Sequence, residues 1–322
     1  GYGAGFKITT GSGNTCIGKD VGANINGGIT TGSTNILLGY GTGCAIGDGS
    51  NNIFIGGSVA ETGASGNFNT LVGAQTGRYA GAGHQNSGFG GKALWFGGDG
   101  SADNVAMGYH SGYYISTGDR NICIGAAAGA ASGTGTGVAL TTGGMNILIG
   151  AASDTSAADS DNQIVIGDNV TGNADSSFCF GYATTDSAIA FGATTITAPS
   201  DIRLKEDIED EVVGLDFINE LRPVTFRWRK AKDVPSEMKV HSDSEERVMN
   251  GKYNHGFISQ EVKEVIDNNP DIKEGFDMWT EDEADGRQRI GESALIPMLV
   301  KSIQELSAEV ENLKDEIETF KS

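Results

Sequence analysis

The sequence predicts an all-β repeat that resembles a β-helix or β-roll, followed by a small α+β domain that ends in a coiled-coil helix. One observation is a pattern of Asn, three mostly aliphatic residues and Gly that recurs through the first part of the chain. A second is the change at Ser200, since 44 of the 50 glycines lie before it and 17 of the 22 Lys and Arg residues lie after it. A third is the spacing of apolar residues near the C-terminus, which alternates between four and three. We therefore divide the chain into residues 1–198, 199–298 and 299–322.

The repeated pattern steps by 17 residues in most copies, and a fixed period of this length is typical of solenoid proteins. Its clear copies begin at Asn14, Asn35, Asn52, Asn69, Asn86, Asn104, Asn121 and Asn146, and weaker copies end at Gly167, Gly181 and Gly192. Each copy predicts a strand of three residues bounded by turn-forming residues. The longer steps predict insertions over 24–33 and 130–144.

Side chains alternate across each short strand, so the middle residue points away from its two neighbours. In the third copy, Ile53 and Ile55 share one face and Phe54 lies on the other. Because both faces are often apolar, we expect one to fill the solenoid interior and the other to be buried against a second chain. The recurring Asn either bonds to local backbone at each corner or forms a ladder along the stack. A glycine-rich chain loses much conformational entropy on folding, which favours an oligomer over a monomer.

The overall charge and hydropathy exclude several classes of partner. The net charge is −20, and without a basic stripe we expect no nucleic-acid partner. No run of about 18 apolar residues occurs, so we expect no membrane insertion. The glycine-rich segments lack the strand-to-helix context of a phosphate-binding loop, and we expect no cofactor.

Metal and disulfide chemistry are not expected either. The cysteines are dispersed, with no ligand or disulfide spacing, and are interpreted as small packing residues. They are Cys16, Cys44, Cys123 and Cys179. Asp159, Asp161 and Asp168 are interpreted as solvated turn residues rather than as a calcium site.

A cluster of aromatic residues lies in the middle of the repeat. Its members are Trp95, Phe96, Tyr109, Tyr113 and Tyr114. These rings either pack into the fibre or contact the sugar rings of a receptor.

The chain after Ser200 alternates between helical and extended patterns. We predict a helix over Asp207–Leu221, ended by Pro223, and a strand over Val224–Arg229. A loop or irregular hairpin follows over 230–250, then a strand over Asn254–Ser259 and a helix over Gln260–Asp267. Short strands or turns with the aromatic anchors Phe276 and Trp279 are predicted over 270–290.

The C-terminal segment contains an unbroken heptad seam. The seam residues are Leu299, Ile303, Leu306, Val310, Leu313, Ile317 and Phe320. β-Branched residues at one core position of the heptad and mainly Leu at the other favour a parallel dimer. The same seam also suits a three-stranded coiled coil when it is fused to a trimeric fibre. The alternative is a single amphipathic helix packed on its own domain.

Four segments in order resemble the C-terminal intramolecular chaperone of phage tail fibres and tailspikes, the S74 peptidase family. They are Ser200–Ile208, Leu221–Phe226, Gly256–Val262 and Leu295–Leu306. The resemblance covers residues 199–322, and the upstream units resemble phage fibre-shaft repeats and, more loosely, the heads of trimeric autotransporter adhesins. It implies a homotrimer in which Ser200 is the essential serine, Lys205 its dyad partner, and the bond between Ser200 and Asp201 the one that is cut. An N-to-O acyl shift at Pro199–Ser200 is a variant of this chemistry.

The resemblance implies a phage tail fibre that is assembled in the host cytoplasm and ends in the virion. Its expected partners are a host cell-surface glycan or protein receptor and other tail proteins. The enzyme activity would be a single self-cleavage rather than turnover. One alternative is a polysaccharide-degrading tailspike, which needs paired carboxylates, although only twelve acidic residues precede residue 201. The other is a trimeric bacterial surface adhesin, for which the C-terminus lacks a barrel-forming segment.

Overall fold

The computed structural model describes residues 1–23, 28–63, 65–79, 81, 83–96, 100–131, 138–273, 276–283 and 285–321. It divides into two compact units, Gly1–Leu204 and Lys205–Ser322. The predicted insertions over 24–33 and 130–144 fall partly outside the described residues, which omit 24–27 and 132–137.

The first unit is a β-solenoid of about nine turns, as the repeat predicts. Its parallel strands are β1 Thr15–Ile17, β2 Ile36–Leu38, β3 Ile53–Ile55, β4 Thr70–Val72, β5 Ser87–Phe89, β6 Val105–Met107, β7 Ile122–Ile124, β8 Ile147–Ile149 and β9 Ile164–Asp168. Neighbouring strands pair in register, so the residue after each Asn lies beside the residue after the next Asn, as Ile36 lies beside Ile53. Every turn of the solenoid therefore repeats the same positions.

The middle residue of each strand points into the solenoid. Leu37, Phe54 and Leu148 are fully buried there, and Leu71 is nearly so. The predicted alternation of faces is confirmed, and the face formed by the middle residues is the interior. Cys123 and Cys179 belong to this core and Cys16 packs against it, as predicted for packing residues.

The repeated asparagines form a ladder, which decides between the two alternatives left by the sequence. Asn52 Oδ1 accepts the backbone N–H of Asn69 at 2.9 Å and its side-chain amide at 3.2 Å. The Asn69 amide also donates to the carbonyl of Gly83 at 2.9 Å. Each buried amide therefore satisfies backbone groups in an adjacent turn, which removes the penalty of burying them unpaired.

The glycine that follows each strand is required by the stacking. Gly39 has a φ of +139°, and a Cβ there would lie 2.0 Å from the carbonyl oxygen of Gly56 in the next turn. Only a residue without a side chain fits this corner.

The solenoid ends in a hairpin. Strand β10, Ser177–Tyr182, continues the parallel stack beside β9, but strand β11, Thr185–Ala190, runs antiparallel to β10. The last weak copy of the pattern, which ends at Gly192, is therefore not a further parallel turn. The chain reversal occupies the free edge of β10 and ends the repeat.

The second unit is small and mixed. It contains α1 Leu215–Glu220, β12 Val224–Phe226, β13 Asn254–Gly256, α2 Ser259–Asn268, β14 Trp279–Glu281, β15 Gln288–Ile290 and α3 Ile296–Lys321. Strands β12 and β13 pair antiparallel, as do β14 and β15. The core brings together Phe217 of α1, Val262 of α2 and Met298 of α3. Met278, just before β14, and Leu295, just before α3, complete it.

Three predicted elements are longer than the observed ones. The strand predicted over Val224–Arg229 ends at Phe226, and the strand predicted over Asn254–Ser259 ends at Gly256. The helix predicted over Asp207–Leu221 begins only at Leu215, after Gly214. Before it, Glu211 Oε1 accepts the N–H groups of Val212 and Val213, which holds this segment out of the helix. The first helical N–H, that of Leu215, is then bound by the Glu305 carboxylate at 2.8 Å.

Candidate functional site

The predicted processing site lies in a fully exposed segment. Every residue from 191 to 212 is exposed. The segment is not polar throughout, because Ile202 is 72 % exposed, Leu204 69 % and Ile208 65 %. Large apolar side chains left in water at this density mark a surface for interaction.

A short turn fixes the residues on the C-terminal side of Ser200. A 3₁₀ turn spans Ile202–Leu204, and the N–H of Leu204 donates to the Asp201 carbonyl at 3.0 Å. The Arg203 guanidinium binds the Asp201 carboxylate through Nε and Nη2, at 3.0 Å and 2.6 Å. Hydrogen bonds from Arg203 lower the pKa of Asp201. Asp201 is thus held as an ionised, oriented carboxylate beside the predicted cut.

Ser200 and Lys205 both have exposed side chains. A serine hydroxyl becomes a nucleophile when a base takes its proton, and burial favours the neutral amine that could act as that base. The surroundings of a single chain do not supply such burial at Lys205. This pair stays a prediction from the resemblance.

Helix α3 presents two different faces. One face, with Met298 and Ser302 buried, packs within the second unit. The heptad seam lies on another face and is exposed, from 42 % at Leu299 to 88 % at Phe320. From residue 306 to residue 321 every position is exposed. The helix is therefore anchored by its first turns and extends with an unpartnered apolar seam.

The outward face of the parallel sheet is a second unpartnered apolar surface. It is formed by the first and third residues of the strands, which include Ile36 at 45 % exposure, Leu38 at 41 % and Met107 at 48 %. The stripe continues at Ile149 and Ile166, which are also exposed. Parallel sheets in proteins are almost always covered on both faces.

The predicted aromatic residues come together in neighbouring turns. Trp95 stacks on Tyr113 with centroids 5.5 Å apart, and Phe96 stacks on Tyr114 at 5.6 Å. Tyr109 is linked to these stacks through His110, whose ring centre lies 4.0 Å from that of Tyr109 and 4.6 Å from that of Tyr113. Trp95 is nearly buried, whereas the other rings are partly or largely exposed. The cluster thus packs onto the solenoid and remains accessible at its surface.

Several residues of these surfaces were missed from the sequence. Arg78 and Tyr79 belong to the aromatic cluster, and the ring of Tyr79 lies 5.8 Å from that of Phe96. The sequence pattern that could have identified them is the repeat period, since Arg78 and Tyr79 precede Trp95 and Phe96 by 17 residues. Glu305, which caps α1, and Asp154, which is buried in the solenoid, carry no sequence signal of their role.

No helix among the described residues combines the length and the apolar character needed to cross a bilayer. Within the same described ranges, no three His, Cys, Asp or Glu side chains are grouped to hold a metal ion. Of the predicted turn carboxylates, Asp161 accepts the backbone N–H of Gly144 at 2.6 Å.

Comparison with known proteins places one segment in a family. The family model described as chaperone of endosialidase, Peptidase_S74, matches residues 200–269. No curated protein and no solved structure matches the chain. The match begins at Ser200 and includes residues 200–212 of the exposed segment, α1, β12, β13 and α2. It supports the assignment of the C-terminal part of the chain as a chaperone domain of the S74 family, and together with the solenoid it fits a protein of the tail fibre or tailspike type.

Proposed function

We propose that this chain is a homotrimeric phage tail fibre whose C-terminal domain drives folding and assembly and is then released by self-cleavage at Ser200. The observation that carries the proposal is the family match over 200–269 directly after a solenoid that leaves one face of its sheet uncovered. A fibre of this kind would be assembled in the host cytoplasm and reside in the virion.

The solenoid supports assembly through its outward sheet face. Ile36 and Leu38 of β2 and their counterparts on later strands lie in register, about 4.8 Å apart from strand to strand. In a trimer the stripes of the three copies face one common axis, so the symmetric complex buries all of them at once. The solenoids then gain the second layer that a parallel sheet requires.

Helix α3 supports assembly at the other end of the chain. Residues 306–321 are all exposed and pack on no described core, so this part of the helix gains nothing from tertiary packing within one chain. Pairing the seam residues between copies stabilises this segment and holds the three chains in register. Bringing the chains together at one end lowers the entropy cost of pairing the shafts.

Self-cleavage is proposed to follow assembly. The Ser200 hydroxyl gives its proton to Lys205, and its oxygen attacks the Ser200 carbonyl of a neighbouring copy. The bond to Asp201 breaks, the Asp201 amine leaves with that proton, and water then hydrolyses the ester. Covering the exposed segment 191–212 by neighbouring copies would provide the burial that favours a neutral amine. The net reaction hydrolyses one peptide bond, so water is consumed and a new carboxylate and a new amine are formed. Attack on the Pro199 carbonyl would place the cut one bond before Ser200–Asp201.

The assembled fibre is proposed to bind a host-surface receptor and to attach to other tail proteins. The exposed aromatic cluster supports receptor binding, because aromatic rings at a surface provide contact area at little entropy cost.

Light scattering tests the assembly. Ser200→Ala keeps the chain intact, and we expect a particle of three times the 33.3 kDa chain mass. The wild-type protein should give the same oligomer and then lose its C-terminal domain, with Ser236→Ala, an exposed serine outside the junction, behaving as wild type. A monomer in the Ser200→Ala protein would refute the trimer.

A further inference from the structure

Side chains that stand nine and ten residues after the ladder asparagines form two columns along the solenoid. The inner column is Glu61, Arg78, Trp95 and Tyr113, and the outer column is Tyr79, Phe96 and Tyr114. Since most turns close in 17 residues, these positions are half a turn from the strand centres. The columns therefore lie on the side of the solenoid away from the apolar sheet face and stay accessible when that face is covered.

The inner column is a continuous chain of contacts. Arg78 Nε lies 2.7 Å from Glu61 Oε2, its guanidinium carbon is 5.3 Å from the centre of the Trp95 ring, and Trp95 stacks on Tyr113. Glu61 neutralises the charge of Arg78, and Trp95 is 9 % exposed. This column forms a rigid base rather than a contact surface.

The outer column rests on that base and faces solvent. Tyr79 stacks on Phe96 with an interplanar angle of 17°, and Phe96 stacks on Tyr114 with an angle of 11°. The three rings are 42 %, 42 % and 43 % exposed. Three stacked rings at successive turns span about 10 Å along the fibre, which is comparable with a disaccharide. Their order is fixed before any ligand arrives, so little entropy is lost on binding.

A cation lies beside Trp95 of the inner column. Lys92 Nζ is 5.2 Å from the centre of the Trp95 ring, and no ion pair joins it to a carboxylate of the described residues. The pKa of His110 is lowered, mainly by the burial of its own ring and to a lesser extent by the positive charge of Lys92. Of the five Lys and Arg residues before residue 201, Lys19 and Arg78 pair with carboxylates. Among the described residues, Lys92 is the unpaired cation that lies against a ring of the two columns.

We propose that the outer column and Lys92 bind a carboxylate-bearing polysaccharide. The exposed rings and the hydroxyls of Tyr79 and Tyr114 contact the sugar, and the Lys92 ammonium pairs with the carboxylate. The ligand class follows from the charge, because an acidic unit otherwise repels an anionic polymer and this patch offers the local attraction. This inference rests on the proposed receptor-binding function and names its site and ligand class.

The chain offers matched controls for a binding experiment. Tyr40 and Lys19 form a second exposed aromatic and cation pair, with Lys19 Nζ 5.7 Å from the Tyr40 ring and Tyr40 59 % exposed. They lie outside the columns. Lys19→Ala and Tyr40→Ala therefore remove the same chemistry elsewhere on the solenoid.

The trimeric protein is tested by biolayer interferometry on immobilised alginate and hyaluronate, with neutral dextran as the comparison polymer and at low ionic strength. We expect binding to at least one carboxylated polymer, weakened by salt, and none to dextran. Lys92→Ala and Tyr114→Ala should each weaken binding by about tenfold or more, and the two control variants should bind as wild type.

Absence of binding to both carboxylated polymers would overturn the proposal and leave a protein receptor as the alternative. Equal binding to dextran, or binding unaffected by Lys92→Ala and Tyr114→Ala, would also overturn it. Light scattering on every variant separates these outcomes from failure of the fibre to assemble, which would count against the proposed function instead.

Discussion

The side-chain oxygen of Asn35 accepts two hydrogen bonds from Asn52, one from its backbone N–H at 2.9 Å and one from its side-chain amide at 3.1 Å. Asn52 is fully buried and in turn binds Asn69 and the Gly66 carbonyl. Each rung therefore joins consecutive turns of the solenoid.

Replacing one rung should destabilise the solenoid. Asn52→Ala leaves the Asn69 N–H and the Gly66 carbonyl buried without their partners, which costs about 3 kcal/mol in the free energy of unfolding. We expect a clear fall in the melting temperature measured by circular dichroism. Asn173→Ala, at an exposed position, should melt as wild type. Equal melting of the two variants would show that the ladder contributes nothing.

A buried carboxylate gives the solenoid an unusual pH dependence. Asp154 is 1 % exposed and accepts the Ala131 N–H at 3.0 Å. Burial raises its pKa from 3.8 to about 6, while hydrogen bonds from Ala131 and Ala130 oppose the shift. The folded state binds the proton more tightly than the unfolded state. The stability from this group is thus complete below about pH 4 and is lost as the pH rises through 6.

Asp154→Asn should therefore be more stable than wild type at pH 7.5, by up to about 3 kcal/mol for a shift of this size. The difference should shrink at pH 4, where the carboxyl is protonated. Chemical denaturation at both pH values measures this, with Asp48→Asn at an exposed position as the control. A variant less stable than wild type at pH 7.5 would show that the charged form is favoured in the fold.

The helix seam should decide the oligomeric state. Val310→Asp places a charge in the seam, whereas Ala308→Asp places the same charge on the opposite side of the same exposed helix. We expect Val310→Asp to lose the trimer and, since cleavage follows assembly, to remain uncut. Ala308→Asp should assemble and cleave normally. If both variants assembled alike by light scattering, the seam would not be an interface.

The outward sheet face should matter only in the oligomer. Leu38 is 41 % exposed in the single chain, so Leu38→Asp would be nearly neutral for a monomer. In a trimer that buries the stripe, three unpaired carboxylates would be desolvated, and the mature shaft should dissociate or melt earlier. Thr10→Asp, at an exposed position away from the strands, is the control. A Leu38→Asp shaft as stable as the control would place the interface elsewhere.

The strands of the solenoid could be predicted because every turn repeats the same local signals. The direction of the last strand could not, since the pattern that ends at Gly192 reads the same whether the chain stacks in parallel or folds back on β10. The start of α1 was also hidden, because Leu215 is capped by Glu305, 90 residues away. The aromatic residues that stack on Phe96 were also hard to predict, because the exact number of residues in each turn determines which side chains align along the solenoid. These features come from contacts between distant residues, which local periodicity does not encode.

The most direct test of the account is the intact mass, under denaturing conditions, of wild-type and Ser200→Ala protein purified as assembled particles. We predict that wild type gives two polypeptides that meet at the Ser200–Asp201 bond, of 200 and 122 residues, and that Ser200→Ala gives only the full chain of 322 residues. Lys205→Ala should match Ser200→Ala. A wild-type protein that assembles but stays uncut, or a Ser200→Ala protein cut at the same bond, would contradict self-cleavage at this junction.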